Sequence, residues 1–281
     1  MSSFSSQKAS MKTKSSKAKA SMKAESSKVK ASMEVKSSKA KASIKRTLVL
    51  TRKELYSWIH SPALYGITVF FLLFVSIWFY YVERFFVMNT ASLRPFFMAF
   101  PQAFILVIPV LTMKAWAEER KLGSAEILFT MPFTEWELVC GKFLSCFTLL
   151  VGMIALTLPV PLTLLPLGHF DPGVIFAEYT GALLLGASAS ALGLFLSSVS
   201  KTQAAAFLGS AVVLLFVMLI NNFTQDLPPF LAGFLNFISL TFHFESFVRG
   251  LLDSRGVAFF LLTTGLFLFL NTQVLIFRKW D

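Results

Sequence analysis

The stretch EERKLGSAEILFTMPFTEWELVCGK, residues Glu118–Lys142, lies between two strongly apolar runs and is too charged to enter a bilayer. It nevertheless carries start signals for two helices. The dipeptide Met131-Pro132 ends the first helix, because proline disfavours helical backbone at the preceding residue. Thr134 and Glu137 are spaced as a capping box, which starts the second helix. The stretch is therefore predicted to be a structured helical hairpin between two membrane spans, and not a passive linker.

Six apolar segments account for most of the chain, which has 281 residues and is 55% hydrophobic. Each segment is close to the roughly 20 residues that a membrane-spanning helix requires. Three prolines in the third segment, Pro159, Pro161 and Pro166, predict a kink or a break near its end. The sequence therefore predicts an all-α integral membrane protein with six transmembrane helices. These spans are expected at residues 63–82, 96–113, 143–166, 175–196, 204–223 and 257–277.

The distribution of Lys and Arg between the spans predicts the orientation, because these residues are retained on the cytoplasmic side. The side that holds both termini and the hairpin carries 22 of them, whereas the opposite side carries 4. The bias is still 7 to 4 when the segment before the first span is left out. Both termini and the hairpin are therefore predicted to be cytoplasmic.

Residues 1–46 repeat an eleven-residue pattern, beginning with KASMKTKSSKA, and hold 13 Lys and Arg against 2 Glu. The repeats offer too little apolar surface to offset the entropy lost on ordering. This tail is therefore predicted to be disordered and to bind anionic lipid through its basic residues. A DNA-binding tail is the alternative. The rest of the chain has no net charge, so it lacks the excess of basic residues that is typical of a nucleic-acid-binding domain. No nucleic-acid partner is therefore predicted.

Residues 47–60, TLVLTRKELYSWIH, are predicted to form an amphipathic helix that lies in the cytoplasmic membrane interface. Leu48, Leu55 and Ile59 share an apolar face, and basic residues lie beside it. An aromatic ring next to that face is favoured at headgroup depth. A cytosolic extension of the first span is the alternative. The residues expected to hold this interfacial helix in place are Arg52, Lys53 and Trp58.

Residues 224–256 separate the fifth and sixth spans and do not form a polar loop. Their run LPPFLAGFLNFISLTFHFESFVRGLL is mostly apolar but too interrupted for another clean span. We predict short re-entrant helices in the outer leaflet, whose backbone must be buried in protein or line a cavity. Glu245, Arg249 and Asp253 step by four residues, so they are predicted to form an ion-pair ladder on one helical face.

No motif in the sequence supports ATP hydrolysis or another covalent reaction. Gly141-Lys142 lacks the earlier glycine of a P-loop and is followed by Phe143. The three histidines are scattered without metal-ligand spacing, and no charged residue lies at the middle of a predicted span. We therefore predict no catalytic site, no metal and no cofactor in this chain. Energy for any uphill transport must come from a separate protein.

The hairpin is interpreted as a docking surface for a cytosolic partner. Glu119 and Glu126 are seven residues apart and share a face of its first helix, opposite an apolar face. Two carboxylates can also indicate acid–base catalysis, but an exposed hairpin offers no enclosed pocket for that chemistry.

The hairpin residues also resemble a known family. The pattern EER-x-x-Gly-Ser-x-Glu-x-Leu, followed by Pro-Phe-Thr, Glu-Leu and Gly-Lys, resembles the permease subunit of type-2 ABC transporters, the ABC-2 family. So does the order of interfacial helix, two spans, hairpin and four further spans. The run HFESFVRGLLDSRG, residues 243–256, is similar to the branch found with gliding-motility ABC systems. The resemblance covers residues 47–281.

The resemblance implies a partner for the hairpin. In the family, this element is a coupling helix that sits in a groove of a separate P-loop ATPase subunit, which binds ATP and Mg. Two permease chains, either two copies or a copy and a paralogue, complete the transporter. Serine at position 124 replaces the more usual threonine. Carried over to this sequence, the docking residues are Glu119, Gly123, Ser124, Glu126 and Pro132, and the helix corner is formed by Thr134 and Glu137.

The resulting hypothesis is a permease subunit of an ABC exporter in the bacterial inner membrane, with no enzymatic activity of its own. An extracytoplasmic accessory subunit is a further candidate partner. The alternative function is a membrane anchor or assembly subunit that binds an extracytoplasmic protein without transporting anything. Family members move varied cargo, so the resemblance implies no particular substrate.

Overall fold

The computed structural model describes residues 37, 41–82, 92–121, 123, 133–164, 171–226 and 228–279. The chain divides into two compact units, Met1–Leu48 and Val49–Asp281. In the first unit residues 41–48 are helical, and they include the last six residues of the predicted tail. Almost all other tail residues lie outside the described part of the chain, so disorder and lipid binding of the tail stay predictions.

The second unit is helical, and its described residues contain no strand. Six described helical stretches are long and apolar enough to span a membrane, which confirms the predicted all-α membrane fold. The spans are Pro62–Val82, Arg94–Lys121, Glu135–Leu164, Pro172–Val199, Gln203–Phe223 and Ser254–Phe277. The α-helices are labelled α1 (residues 49–59), α2 (Pro62–Ile77), α3 (Arg94–Lys121), α4 (Glu135–Ala155), α5 (Pro159–Leu164), α6 (Pro172–Val199), α7 (Gln203–Leu219), α8 (Pro229–Ile238), α9 (Leu240–Val248) and α10 (Ser254–Lys279).

Local sequence explains where these helices begin and end. Helix α6 starts at Asp171, whose side chain accepts a hydrogen bond from the Gly173 N–H at 2.8 Å. The third span breaks between α4 and α5 directly before Pro159, as predicted, since proline cannot donate the helical hydrogen bond. Helix α2 continues as a π-helix over Trp78–Val82, and α7 continues as a 3₁₀-helix over Ile220–Asp226.

Helices α3 and α6 form the centre of the bundle. Two-thirds of the apolar window of each is buried, whereas the windows of α2, α7 and α10 are 17–28% buried. A group of phenylalanines fills the space between α2 and α3, and the Phe71 ring centroid lies 5.6 Å from that of Phe100 and 6.0 Å from that of Phe104. The exposed faces of α2, α7 and α10 are strongly apolar, as expected for helices that face lipid or another membrane chain.

Glycines on α6 allow its neighbours to approach closely. A Cβ atom on Gly186 would lie 2.6 Å from Leu150 Cδ2, and one on Gly193 would lie 2.6 Å from Thr112 Oγ1. A Cβ on Gly181 would lie 2.5 Å from Phe247 Cβ. Helix α6 therefore packs against α4, α3 and α9 at successive glycines, which agrees with the use of small residues at helix contacts in membranes.

Between the fifth and sixth spans, α8 and α9 meet at an angle of 77°, which gives either a broken span or a re-entrant pair. Ser239 lies at the corner, and its side chain accepts a hydrogen bond from the Phe242 N–H at 3.2 Å. The α9 residues Leu240, Phe244, Phe247 and Val248 are buried in the core. The bent pair is compatible with the short re-entrant helices predicted for residues 224–256, and the re-entrant position stays a prediction.

Candidate functional site

The hairpin between α3 and α4 is the predicted docking element, and the structure describes both of its ends. Helix α3 continues to Lys121, and Gly123 has φ +67°, a conformation that favours glycine and ends helices. Helix α4 begins after Thr134. Residues 122 and 124–132 lie outside the described residues, and with them the predicted docking residues Ser124, Glu126 and Pro132.

The start of α4 has the predicted capping box. Thr134 Oγ1 accepts a hydrogen bond from the Glu137 N–H at 3.3 Å, and Glu137 Oε2 accepts one from the Thr134 N–H at 3.0 Å. Both hydrogen bonds satisfy backbone N–H donors at the helix start. The capping box that Thr134 and Glu137 were predicted to form is therefore confirmed.

The last turn of α3 is tied to the end of α6. The Arg120 guanidinium donates to the Ser200 carbonyl at 2.6 Å, and it also donates to the carbonyls of Ser197 and Ser198. One turn earlier, the Trp116 N–H donates to Ser197 Oγ at 3.4 Å. Because the Arg120 guanidinium reaches from α3 to the C-terminus of α6, its positive charge also complements the partial negative charge of that helix end. The side of the hairpin that leaves α3 is therefore fixed to the fourth span.

A buried lysine joins three elements at the same end of the bundle. Lys142, in the second turn of α4, has a side chain that is 2% exposed. Its Nζ lies 2.8 Å from Glu119 Oε1 on α3 and 3.2 Å from Glu54 Oε1 on α1. It also lies 4.9 Å from the centroid of the Trp116 ring, a cation–π contact. We call Lys142, Glu119 and Glu54 the lysine junction.

Helix α1 packs on α3 and α4 through one face. Thr51 Oγ1 donates to the Gly141 carbonyl at 3.2 Å, and a Cβ on Gly141 would lie 2.7 Å from Leu50 Cδ2. Trp58 is 6% exposed, and Lys114 Nζ lies 5.2 Å from its ring centroid. The structure thus buries Trp58 inside the protein.

The opposite face of α1 is exposed and carries Arg52, Tyr56 and Ile59, and exposed Lys53 lies at its edge, beside the packed face. Exposed Ile59 and Tyr56 beside basic residues suit a helix that lies on a membrane surface. The described geometry is compatible with the interfacial position, which stays a prediction.

A cavity of about 420 Å³ opens between α1, α3 and the start of α4. We call it the junction cavity, because the lysine junction forms one wall. Charged residues, hydroxyl groups and the Trp58 ring dominate its lining. It is lined by Lys53, Glu54, Ser57, Trp58, His60, Ser61, Lys114, Ala115, Glu118, Glu119, Lys142, Ser145 and Cys146.

The α8–α9 region contains only part of the predicted ladder. Glu245 Oε2 lies 3.2 Å from Arg249 Nη2, and Glu245 Oε1 accepts a hydrogen bond from Asn221 Nδ2 at 3.1 Å. Helix α9 ends at Val248, so Asp253 leaves that helical face and accepts from the Arg255 N–H at 2.9 Å. The predicted three-residue ladder is therefore a single ion pair.

Sequence reasoning missed the lysine junction and the role of Arg120. Both residues were counted as cytoplasmic positive charges, and both belong to the family pattern, Arg120 in EER and Lys142 in Gly-Lys, but neither was given a contact inside the protein. Lys142 and Glu54 are 88 residues apart, so no local pattern links them. The available signal was the position of Lys142 just inside an apolar helix, where a lysine needs a carboxylate partner. The structure brings Glu119 to that lysine, and its predicted docking role stays a prediction.

Comparison with known proteins adds two findings. A family model described as "ABC-2 family transporter protein" matches residues 48–272. Proteins named "Probable multidrug ABC transporter permease YbhR" from Escherichia coli strain K12 and from Escherichia coli O157:H7 are each 24% identical to the chain over 154 residues. The match covers 50% of this chain and 39% of each relative, so the chain spans well under half the length of these curated relatives.

Proposed function

We propose, from the premise that the chain belongs to the ABC-2 family of transporter proteins and is a multi-pass membrane protein, that it is the permease subunit of an ABC exporter. In this proposal a separate P-loop ATPase subunit binds ATP and Mg and supplies the energy. The chain itself provides the path through the membrane and performs no covalent chemistry. It acts in the bacterial inner membrane with both termini and the hairpin in the cytoplasm.

The observation that carries this proposal is the lysine junction. It lies where α3 leaves the bundle toward the hairpin and where α4 returns from it. Breaking a buried ion pair by removing one partner strongly destabilises a protein, so these groups stay together when the surrounding helices move. A force applied to the hairpin is therefore transmitted to α1, α3 and α4 as one body.

Arg120 extends the same body to the fourth span, because its guanidinium holds the carbonyls at the end of α6. Helix α6 packs against most of the other spans in the second unit, so a displacement of its end reaches the centre of the bundle. An isolated membrane anchor has no need for such links between a polar hairpin and the buried helices. The links are what a subunit needs when energy enters at the hairpin.

The hairpin residues have distinct roles in the proposal. Glu126 and Ser124 contact the ATPase, and Gly123 and Pro132 set the turns at the two ends of the coupling helix. Glu119 contributes by holding the base of the hairpin through Lys142. A second permease copy or a paralogue completes the transport path, and the exposed apolar faces of α2 and α7 provide surface for such an association.

The proposal is tested by purifying tagged protein from its native membrane in a mild detergent. An ATPase subunit is expected to co-purify with the wild type and to be lost with Glu126→Arg. Glu34→Arg, a charge reversal in the basic tail, is the matched control and should retain the ATPase.

Two outcomes would contradict the proposal. In the first, the wild type retains no ATPase but retains an extracytoplasmic protein, as a membrane anchor would. In the second, Glu126→Arg retains the ATPase as well as Glu34→Arg does, which would move the docking surface away from the hairpin.

A further inference from the structure

We propose that the junction cavity binds the headgroup of a zwitterionic phospholipid, with the phosphate at Lys53 and Lys114 and the primary amine at Glu118. Binding of this kind does not depend on transport or on an ATPase. It is therefore separable from the proposed function, and it can be measured on the purified chain.

The cavity lies where a headgroup would lie. His60 and Ser61 line it and directly precede Pro62, the first residue of the first span. Ser145 and Cys146 line it from about three turns into the third span, and Lys114 lies about two turns before the end of the second. The cavity therefore sits at the border between the apolar bundle and the polar hairpin. Its volume of about 420 Å³ lies within the usual range of small-ligand sites.

The charges of the cavity are balanced but not all of them are paired. Three lysines and three glutamates line it. Lys142 is engaged by Glu54 and Glu119 in the lysine junction. Among the described residues, Lys53, Lys114 and Glu118 have no ion-pair partner. A ligand with one negative and one positive group is complementary to this set.

The order of the charges along α3 matches the order of groups in such a lipid. Lys114 and Glu118 are four residues apart, a rise of about 6 Å along the helix. Lys114 is the nearer of the two to the apolar centre of the span, and Glu118 is the nearer to the hairpin. In a zwitterionic phospholipid the phosphate lies on the membrane side of the amine. The phosphate therefore meets Lys114 while the amine reaches Glu118.

Neighbouring groups support each half of the ligand. Lys114 is held over the Trp58 ring, which orders a cation that would otherwise be free to rotate. The hydroxyl groups of Ser57 and Ser61 line the same cavity and can donate to phosphate oxygens. Glu118 offers its carboxylate to the amine, and the two glutamates of the lysine junction line the same cavity. A purely anionic headgroup would leave this acidic side of the cavity without a partner.

The experiment measures lipid retention by the delipidated full-length chain in detergent, using native mass spectrometry. The probes are phosphatidylethanolamine, phosphatidylglycerol and phosphatidylcholine at equal concentration. Phosphatidylethanolamine is expected to be retained about tenfold more than phosphatidylcholine, because only phosphatidylethanolamine offers a primary amine that can donate to Glu118. Soluble phosphoethanolamine and inorganic phosphate, added at the same concentration, should not displace it. Phosphatidylglycerol held by the basic tail should be insensitive to substitutions in the cavity.

Lys114→Gln and Glu118→Gln should each lower retention of phosphatidylethanolamine about tenfold, to the level of phosphatidylcholine. Lys201→Gln is the matched control, because Lys201 is an exposed lysine between the fourth and fifth spans that does not line the cavity. Lys53→Gln, at an exposed position, gives a second cavity variant that leaves the bundle core intact.

Equal retention of phosphatidylethanolamine and phosphatidylcholine would overturn the proposal, as would cavity variants that behave like Lys201→Gln. Displacement by phosphoethanolamine or by phosphate alone would overturn the lipid as the source of the headgroup.

Discussion

The two ends of the bundle are held together by different forces. At the hairpin end, charged side chains from distant parts of the sequence meet inside the protein: Lys142 with Glu54 and Glu119, and Arg120 with the end of α6. At the other end, the α8–α9 region is anchored by close apolar packing. The ion pair of Glu245 with Arg249 in that region is exposed at the arginine.

The difference supports the proposal that the hairpin end is the one that transmits force. Leaving a buried charge without its partner costs much free energy, so the charged contacts at the hairpin end should persist when the helices move. The apolar contacts between α9 and α6 are close but not directional, so the position of α9 depends on how well the two helix surfaces fit together. Substitutions can therefore be designed that destabilise one end of the bundle and leave the other end unchanged.

The largest effect is expected from Lys142→Met. It leaves Glu54 and Glu119 partly buried without their cation, and the free energy of unfolding should fall by about 3 kcal/mol. The measurement is thermal or denaturant unfolding of the purified protein in detergent, followed by helical circular dichroism. The triple variant Lys142→Met with Glu54→Gln and Glu119→Gln removes all three charges and should recover most of the loss. If Lys142→Met alone is as stable as the wild type, the lysine junction does not stabilise the packing of α1, α3 and α4.

An intermediate effect is expected from Gly181→Leu, which tests the apolar end. The new side chain would collide with Phe247 Cβ, which is close to the backbone and cannot rotate away. Overpacking of this kind should lower the free energy of unfolding by about 1–3 kcal/mol in the same measurement. Gly209→Leu on α7 is the control, because a Cβ there meets no atom within 4 Å. Equal stability of the two variants would contradict the tight contact between α6 and α9.

The smallest effect is expected from Arg249→Gln. The arginine side chain is 57% exposed and pairs with Glu245 one helical turn away, so water screens the interaction. The free energy of unfolding should change by less than about 0.5 kcal/mol. A loss comparable to that of Lys142→Met would show that charge also holds the α8–α9 region, and the contrast between the two ends would disappear.

Local features of the site could be predicted because they depend on neighbouring residues. The capping box at Thr134 and Glu137 requires only a spacing of three residues, and the break before Pro159 requires only a missing N–H. The predicted ladder at Glu245, Arg249 and Asp253 failed at its third member for a related reason. The spacing of four was correct, but the helix ends before Asp253, and Gly250 with φ +79° marks that end.

Contacts between distant residues could not be predicted in this way. Trp58 was expected beside an apolar face at headgroup depth, yet the structure buries it against Lys114. Whether Trp58 is buried depends on which surface of α1 meets α3 and α4. Because α1 has apolar residues on two faces, its sequence alone does not determine which face is buried. The same holds for Arg120, whose acceptors are about eighty residues away along the chain.

The sequence by itself determined the spans, their number and the polar hairpin between the second and third of them. Each of these follows from the length and hydropathy of continuous segments, because a bilayer accepts only helices with satisfied backbone groups. The tertiary structure alone decided that Lys142 joins Glu54 and Glu119, and that the junction cavity lies beside them. Such contacts exist only when helices from separate parts of the chain pack together, so the partner of a buried charge is set by packing and not by sequence spacing.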